Sequence, residues 1–408
     1  MATVSKSILR EAAFVRLWLG TTASGLATWA FPFVLGLAVL GREMTATALG
    51  LVLAARSVGF LVAVPLGGVL ADRHSRRGVV LWAGLAATLA TPALAAGMGR
   101  SIPLMVVAAL VIGAGQGACR PAYQAMVCEV VDPDRRKQAN AATALAVRVV
   151  MLIAPGIVAL LALVLDTTAL LVGTGLLWLF AALVPPKGQA PVAPPGPRPG
   201  IVRSFVEGLQ EARRHPWFLA GLAALTVVIA TGYSATAVAL PVVSRDRYGT
   251  EAVLAAGLTA YTVGGLVGAV VVGRWRPRRE GWTALAALAC YGIAPLALLF
   301  PVPAFVVIAA YVLAGIAIEL FNVPWFTATQ REVAEDKLAR VSSVDFLLSY
   351  GLAPVGLAVI APAIATFGTA AVLGVCAAAC VLVPVAAMLV PTTRDFRRDT
   401  PDRETVTS

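Results

Sequence analysis

A few charges set inside long apolar runs are the residues with the most distinctive chemistry in this 408-residue chain. Arg56, Arg120, Arg148 and Glu319 are each flanked on both sides by stretches rich in Leu, Val, Ala and Gly. Holding a charge at the centre of a bilayer costs about 2.5–3.5 kcal/mol on insertion scales, so such residues mark function by default. Glu319 is the only deep carboxylate; Asp345 lies at the start of a later run. Burial favours a protonated carboxyl and a nearby arginine favours the ionised one. A group alternating between those surroundings takes up and releases a proton or a cationic ligand. Equally, Glu319 could form a fixed ion pair with an arginine across a bundle and hold it closed. Three arginines against one deep carboxylate leave the region net positive, which suits an anionic or zwitterionic ligand. Arg120 and Arg148 also lie near enough to one surface to snorkel or to pair with Glu129.

The elements that must position these groups are membrane-spanning helices. Hydrophobic residues make up 59% of the chain and charged ones 13%, with a mean hydropathy of +0.85. Soluble domains carry roughly 25% charged residues. The apolar runs approach the roughly 20 residues that cross a bilayer as a helix, and the alternating ten-residue segments of a membrane barrel are missing. The expected fold is all-α and polytopic, with spans at 14–40, 47–71, 79–98, 103–128, 141–165, 167–184, 217–243, 252–273, 282–300, 303–328, 343–367 and 369–390. The first run lacks a small-residue cleavage site and is expected to be retained. Five cysteines without metal-like spacing read as packing residues. Two histidines, His74 and His215, with no metal cluster, nucleophile motif or phosphate-binding loop, argue against an enzyme, a resident cofactor or an ATP-driven pump.

Charge sets the orientation. Of 32 Lys and Arg, three lie inside spans and four (Arg42, Arg100, Arg245, Arg247) in loops opposite the termini; the other 25 lie on the terminus side. Basic loops stay in the cytoplasm, which predicts cytoplasmic termini and explains the +11 net charge without nucleic acid. Seven prolines between 185 and 200 interrupt the chain with an extended linker. Ile201, Val202, Phe205, Val206, Leu209 and Ala212 then recur at helical spacing, an amphipathic surface helix stopped at His215-Pro216. The expected organisation is a six-span half over 1–184, a linker over 185–216, a second half over 217–390 and a tail over 391–408.

The halves repeat. An offset of 203 aligns Pro121 with Pro324, Ala125 with Ala328, Glu129 with Glu332 and Gln116 with Glu319, and a similar offset sets Gly68 opposite Gly273. Repeats about a central axis are the architecture of rocking carriers. The turn Gly67-Gly68-Val69-Leu70-Ala71-Asp72-Arg73-His74-Ser75-Arg76-Arg77 resembles the signature of the major facilitator superfamily. Arg120-Pro121-Ala122-Tyr123-Gln124-Ala125, the segment Ser204 to Gly208 and Ala339-Arg340-Val341-Ser342 resemble its macrolide-efflux and enterobactin-exporter-like branch. That resemblance implies a twelve-helix carrier of two pseudo-symmetric halves, working as a proton-coupled exporter of a small organic molecule from a bacterial inner membrane, as a monomer. It also implies a cytoplasmic gate of Gly68, Asp72, Arg73, Arg76, Arg77 and Glu129, in which Asp72 and Arg73 meet the end of span four and the start of span eleven. Arg278 and Glu332 would be its weaker counterpart. Pro155-Gly156 is what remains of a span-five hinge motif, and the acid often found in span one is replaced by Thr28. An importer of a metabolite and a non-transporting sensor or scaffold are the alternatives.

Overall fold

The computed structural model describes residues 8–73, 75–187, 200–351 and 353–397. The described residues are overwhelmingly helical and include no strand. His74, most of the proline-rich linker (188–199) and the end of the tail (398–408) lie outside them.

The first half comprises α1 (Ala12–Leu40), α2 (Ala46–Arg73), α3 (Arg76–Gly97), α4 (Ile102–Val130), α5 (Arg136–Leu161) and α6 (Thr167–Leu183). The amphipathic segment forms α7 (Ile201–Arg213), as its spacing predicts. The second half comprises α8 (Pro216–Val227), α9 (Ser234–Tyr248), α10 (Ala252–Arg274), α11 (Glu280–Cys290), α12 (Ile293–Leu299), α13 (Ala304–Glu332), α14 (Leu338–Ser349), α15 (Ala353–Phe367) and α16 (Thr369–Ala387). Ten stretches are long and apolar enough to cross a membrane, and the shorter apolar helices Thr167–Leu183 and Val355–Phe367 bring the number to twelve. Side-chain caps open several of them. Ser75 accepts from the Gly78 amide at 3.1 Å, and Asp166 from Ala169 at 2.7 Å.

Three spans of the second half are interrupted. A π-helical turn, Val228–Tyr233, joins α8 to α9; α11 yields to α12 at Tyr291-Gly292; and α14 ends at Ser349, ahead of Gly351 and Pro354. Pro354 has no amide hydrogen to continue a helix ladder. Discontinuous spans of this kind are tolerated where neighbouring protein satisfies the freed backbone.

Within each half, one pair of helices packs backbone to backbone. A Cβ on Gly113 of α4 would overlap the Arg56 carbonyl of α2, and one on Gly59 of α2 would overlap the Leu110 carbonyl of α4. The second half repeats the device between α10 and α13, where Gly264 faces the Val312 carbonyl and Gly315 the Tyr261 carbonyl. Lipid offers no hydrophobic drive for such pairing, so close approach through small residues supplies the van der Waals contact that holds the helices. The consequence for the site is positional: Arg56 on α2 is brought against Gln116 on α4, and Gly268 on α10 against Glu319 on α13.

Candidate functional site

The deepest polar contact between the halves is an ion pair. Arg148 of α5 reaches Glu319 of α13, with Nε and Nη2 at 2.7 and 2.6 Å from Oε1. The side chains are only 8% and 5% exposed, so the pair is shut away from solvent. Tyr261 lies under the guanidinium, 5.0 Å from ring centroid to Cζ. A Cβ at Gly265 would stand 2.6 Å from Arg148 Nε, so a glycine in α10 makes the space for this side chain. Glu319 Oε2 has no hydrogen-bond partner among the described residues. Of the alternatives open for Arg148, the structure takes the cross-bundle pair and not Glu129.

Arg56 and Arg120 lie elsewhere on the interface. Arg56 donates to Gln116 Oε1 from Nε and Nη2 at 3.2 and 3.0 Å, and to the Thr28 carbonyl at 3.3 Å. Gln116 and Glu319, matched by the repeat, thus each accept from an arginine, one within a half and one across the interface. Arg120 faces three rings, Phe60, Phe346 and Tyr350, at 5.7, 5.8 and 5.5 Å. Both guanidinia line a cavity of about 210 Å³ between α2, α4 and the end of α14. A larger cavity of about 570 Å³ lies among Arg42, Glu43, Pro92 and Arg100, wholly in the first half. It touches none of these residues.

On the terminus side the halves are closed by a polar seam. Asp72 accepts from the backbone amides of Ala339 and Arg340 at 3.2 and 3.0 Å, and from Arg340 Nε at 3.2 Å. Its carboxylate thereby caps the first turn of α14, where unpaired amides and the helix dipole favour a negative charge. Gly68 lies one turn earlier, where a Cβ would be 2.6 Å from the Ala339 carbonyl. Arg76 donates to Glu129 at 2.9 Å, to the Ala125 carbonyl at 3.2 Å and, across the seam, to the Glu335 carbonyl. Arg136 donates to the Gln330 carbonyl at 2.8 Å, Lys137 pairs with Glu280 at 2.5 Å, and the Asn140 amide bonds Gln330 and Thr327, both at 2.9 Å. Among the described residues, the hydrogen bonds and ion pairs joining the halves run from Arg148–Glu319 to the terminus side, and none lies beyond that pair.

Helix α7 spans the seam from below. Arg73 donates to the Gly200 carbonyl at 2.8 Å and to Ser204, while Glu207 accepts from Arg340 at 3.2 Å and Glu211 from Lys337 at 2.8 Å. Burial pushes the Glu211 carboxyl up, yet the hydrogen bond and charge of Lys337, with Arg214 and His215, hold it below the usual carboxylate range.

Of the expected gate residues, Gly68, Asp72, Arg76 and Glu129 come together at the seam, with altered partners. Asp72 meets the start of span eleven as expected; Arg76 is the contact to Glu129 at the end of span four, and Arg73 reaches α7. Arg77 donates to the Leu183 carbonyl at the end of α6, at 3.0 Å. In the second half Glu332 accepts from its neighbour Arg331 at 2.7 Å. Pro155 lies inside an unbroken α5, and a Cβ on Gly156 would meet nothing within 4 Å. Sequence reasoning missed Asn140, Gln330, Arg136, Lys137 and Glu280. The charged ones carried a faint signal as loop charges; the amides carried none. Asp345, noted from the sequence at the start of a later run, is buried there, and its carboxylate accepts from Trp325 Nε1 at 3.1 Å.

A family model for the Major Facilitator Superfamily matches residues 17–353. Among solved structures, the human organic anion transporter MFSD10 (TETRAN) is similar with a TM-score of 0.75 at 16% identity, over 92% of this chain and 99% of that one. A bacterial homologue of the iron transporter ferroportin in an outward-facing state is similar with a TM-score of 0.74 at 16% identity, over 92% and 98% of the two chains. Its structure with soaked iron gives 0.70 at 17% identity, over the same 92% and 98%. A search of curated proteins finds no match. Identities this low establish a shared fold alone, but the family match covers most of the chain. With twelve apolar helices in two repeated halves, this multi-pass membrane protein belongs to the Major Facilitator Superfamily and is a transporter.

Proposed function

We propose that the chain is a proton-coupled exporter of a small organic molecule, such as a drug, siderophore or secondary metabolite, working by alternating access. The observation that carries this reading is the buried Arg148–Glu319 pair, the deepest contact joining the halves. In the seam-closed form Glu319 is ionised and holds Arg148. A proton arriving from the open side neutralises the carboxylate and removes its hold on a guanidinium that cannot itself lose a proton. A buried charge stripped of its partner destabilises the arrangement by about 3–5 kcal/mol, comparable with the ~5.5 kcal/mol that inverts a two-state population from 1:99 to 99:1. The seam then opens, Arg148 hydrates, and Glu319 returns its proton to the terminus side as substrate enters. Re-forming the pair closes the seam and carries the substrate across.

The terminus side is cytoplasmic in this reading, supported by the 25 of 32 basic residues that lie there. The membrane is the bacterial inner membrane, the carrier acts as a monomer, and its moving bodies are 1–184 and 217–390, joined through 185–216 and followed by the tail. Gly68, Asp72, Arg73, Arg76, Arg77 and Glu129 form the cytoplasmic gate, with Pro155-Gly156 as the hinge of α5. The resemblance of residues 120–125, 204–208 and 339–342 to the macrolide-efflux and enterobactin-exporter-like carriers supports the export reading. The outward-facing state of the ferroportin homologue agrees with a closed terminus side.

The test is accumulation of a panel of dyes, antibiotics and siderophores in an efflux-deficient bacterium expressing the wild type or Glu319→Gln. Export predicts lowered accumulation by the wild type, abolished by a protonophore and by the substitution. Folded wild-type protein that changes accumulation of no compound in the panel refutes broad export.

A further inference from the structure

The second charged feature of the interface is a pair of arginines without acids. Arg56 and Arg120 line the same cavity, together with Phe60, Leu61, Gln116 and Tyr350, and no Asp or Glu is on its wall. Among the described residues neither guanidinium has an ion pair. Arg56 spends Nε and Nη2 on two neutral oxygens, those of Gln116 and Thr28, which leaves Nη1 without a protein acceptor. Arg120 has no hydrogen bond to protein and is held only against aromatic faces. The nearby carboxylates are engaged elsewhere, Glu319 by Arg148 and Asp345 by Trp325 and Ser349.

That arrangement is costly unless something completes it. Charges deep in a membrane protein are ordinarily paired, and cation–π contact recovers only about 0.5–2 kcal/mol. Arg120 is half-buried and its guanidinium nitrogens are not shut in, so its donors are open to whatever fills the cavity. The cavity wall is contributed by both halves, α2 and α4 from one and Tyr350 from the other, so an occupant bridges the two bodies that move. By the repeat, Gln116 is the counterpart of Glu319, which puts the arginine pair at the depth of the ion pair, where a midplane site belongs. Around the two cations the wall is Phe60, Leu61 and Tyr350, with the uncharged polar Ser57 and Gln116. The complement is an anionic head on an apolar or aromatic body.

We propose that Arg56 and Arg120 form the substrate subsite and that it takes an organic anion, its carboxylate, sulfonate or phosphate held by the two guanidinia and its body by Phe60, Leu61 and Tyr350. This rests on the transporter reading above and narrows its substrate class, but not on proton coupling. Anionic and cationic cargo are thereby divided between two places: the arginine pair binds the solute, and Glu319 is left free to carry the proton. The phosphate of an anionic lipid offers the same chemistry, and the subsite is assigned to a solute because the wall is shared between the moving halves.

The experiment uses the full chain, purified in neutral detergent, with 2-naphthoate and 2-naphthylmethylammonium as probes of one ring system and opposite charge. Binding is measured by equilibrium dialysis. The wild type is expected to bind the anion at least about tenfold more tightly than the cation. Arg120→Gln and Arg56→Gln each weaken naphthoate by roughly ten- to a hundredfold, the range of a lost hydrogen bond to a charged group, and Arg120→Lys recovers part of it. Equal or better binding of the cation overturns the proposal, as does an unchanged naphthoate affinity in both glutamine variants, or folded wild type that binds neither probe. Should a variant fail to fold, the anion-to-cation ratio of the wild type still decides. Reconstitution in phosphatidylcholine against phosphatidylglycerol nanodiscs separates the sources: naphthoate binding retained in both supports a solute subsite, and its loss only in the anionic lipid overturns it. Naphthoate bound through the arginines in a protein whose transport ignores protonophores and Glu319→Gln would leave the subsite standing and remove proton coupling.

Discussion

Glu319→Gln tests the coupling of the ion pair to the seam most directly, because its effect on the seam should vanish when both partners are removed together. Arg148 is buried, and in the single variant it faces a neutral amide in place of a carboxylate. The guanidinium cannot discharge by losing a proton, so the closed seam is destabilised by about 3–5 kcal/mol. At 1.4 kcal/mol per decade this shifts the closed–open equilibrium roughly a hundred- to a thousandfold or more. A native thiol reports it. Cys128 is buried at the seam, with Sγ 3.7 Å from the Gln330 carbonyl, and Cys119, buried within the first half with Sγ 3.9 Å from the Val80 carbonyl, serves as the control. N-ethylmaleimide modification read by peptide mass spectrometry should be slow at Cys128 in the wild type and much faster in Glu319→Gln, with Cys119 slow in both. Arg148→Gln should accelerate it less, since the orphaned carboxyl can take up a proton. The double variant Arg148→Met with Glu319→Leu should restore slow labelling while transport stays lost, because a buried pair replaced by apolar groups is often neutral or stabilising. Cys128 labelling at the wild-type rate in folded Glu319→Gln would show that the pair does not hold the halves together.

Three further outcomes are expected. Asp72→Asn removes the carboxylate that caps α14 and pairs with Arg340, so the seam loses about 1–3 kcal/mol and Cys128 labelling accelerates by roughly ten- to a hundredfold. Gly113→Leu drives a side chain into the Arg56 carbonyl and should lower the melting temperature by at least the equivalent of 1–3 kcal/mol of overpacking; Gly156→Ala, with open space around it, should leave melting unchanged and so isolate any effect on transport as a hinge effect. The Glu211 carboxyl is held below the usual range, so its contribution is complete at neutral pH and disappears as pH falls through the carboxylate region; amide exchange in α7 should rise on acidification through that region and lose this dependence in Glu211→Gln.

Much of this architecture was legible because membrane insertion writes it in coarse symbols. Twelve apolar runs, a basic terminus side and a proline-rich break need no tertiary information. The repeat was visible at Pro121 and Pro324; a carboxylate after a glycine pair suits a helix N-terminus, and the resemblance to the major facilitator signature implied that this terminus was the start of span eleven. Glu319 was identifiable as unusual, but its partner was not. Arg56, Arg120 and Arg148 were equal candidates until α5 and α13 were seen to cross with Gly265 making room. The seam amides Asn140 and Gln330 carry no charge and follow no period, so composition and spacing give neither of them a role. The α7 contacts were hidden for another reason: amphipathicity says that a helix lies on a surface without saying against which groups. The π turn at Val228–Tyr233 likewise has no local signal, since its neighbours are ordinary apolar residues.

The glycine-packed pair of α2 and α4 also has a mechanical meaning. A 28-residue helix is about 42 Å long, and welded backbone to backbone against its partner it moves as a stiff lever. Tilting such a lever by about 10° around its midpoint displaces each end by about 3.6 Å, beyond the reach of a hydrogen bond. The Asp72 cap lies at one such end, so a modest rotation at the depth of Arg148 and Glu319 separates Asp72 from α14 in a single stroke. Stiffness thus converts a local event, one proton on one carboxylate, into an all-or-none change some 20 Å away, and half-open seams should be scarce.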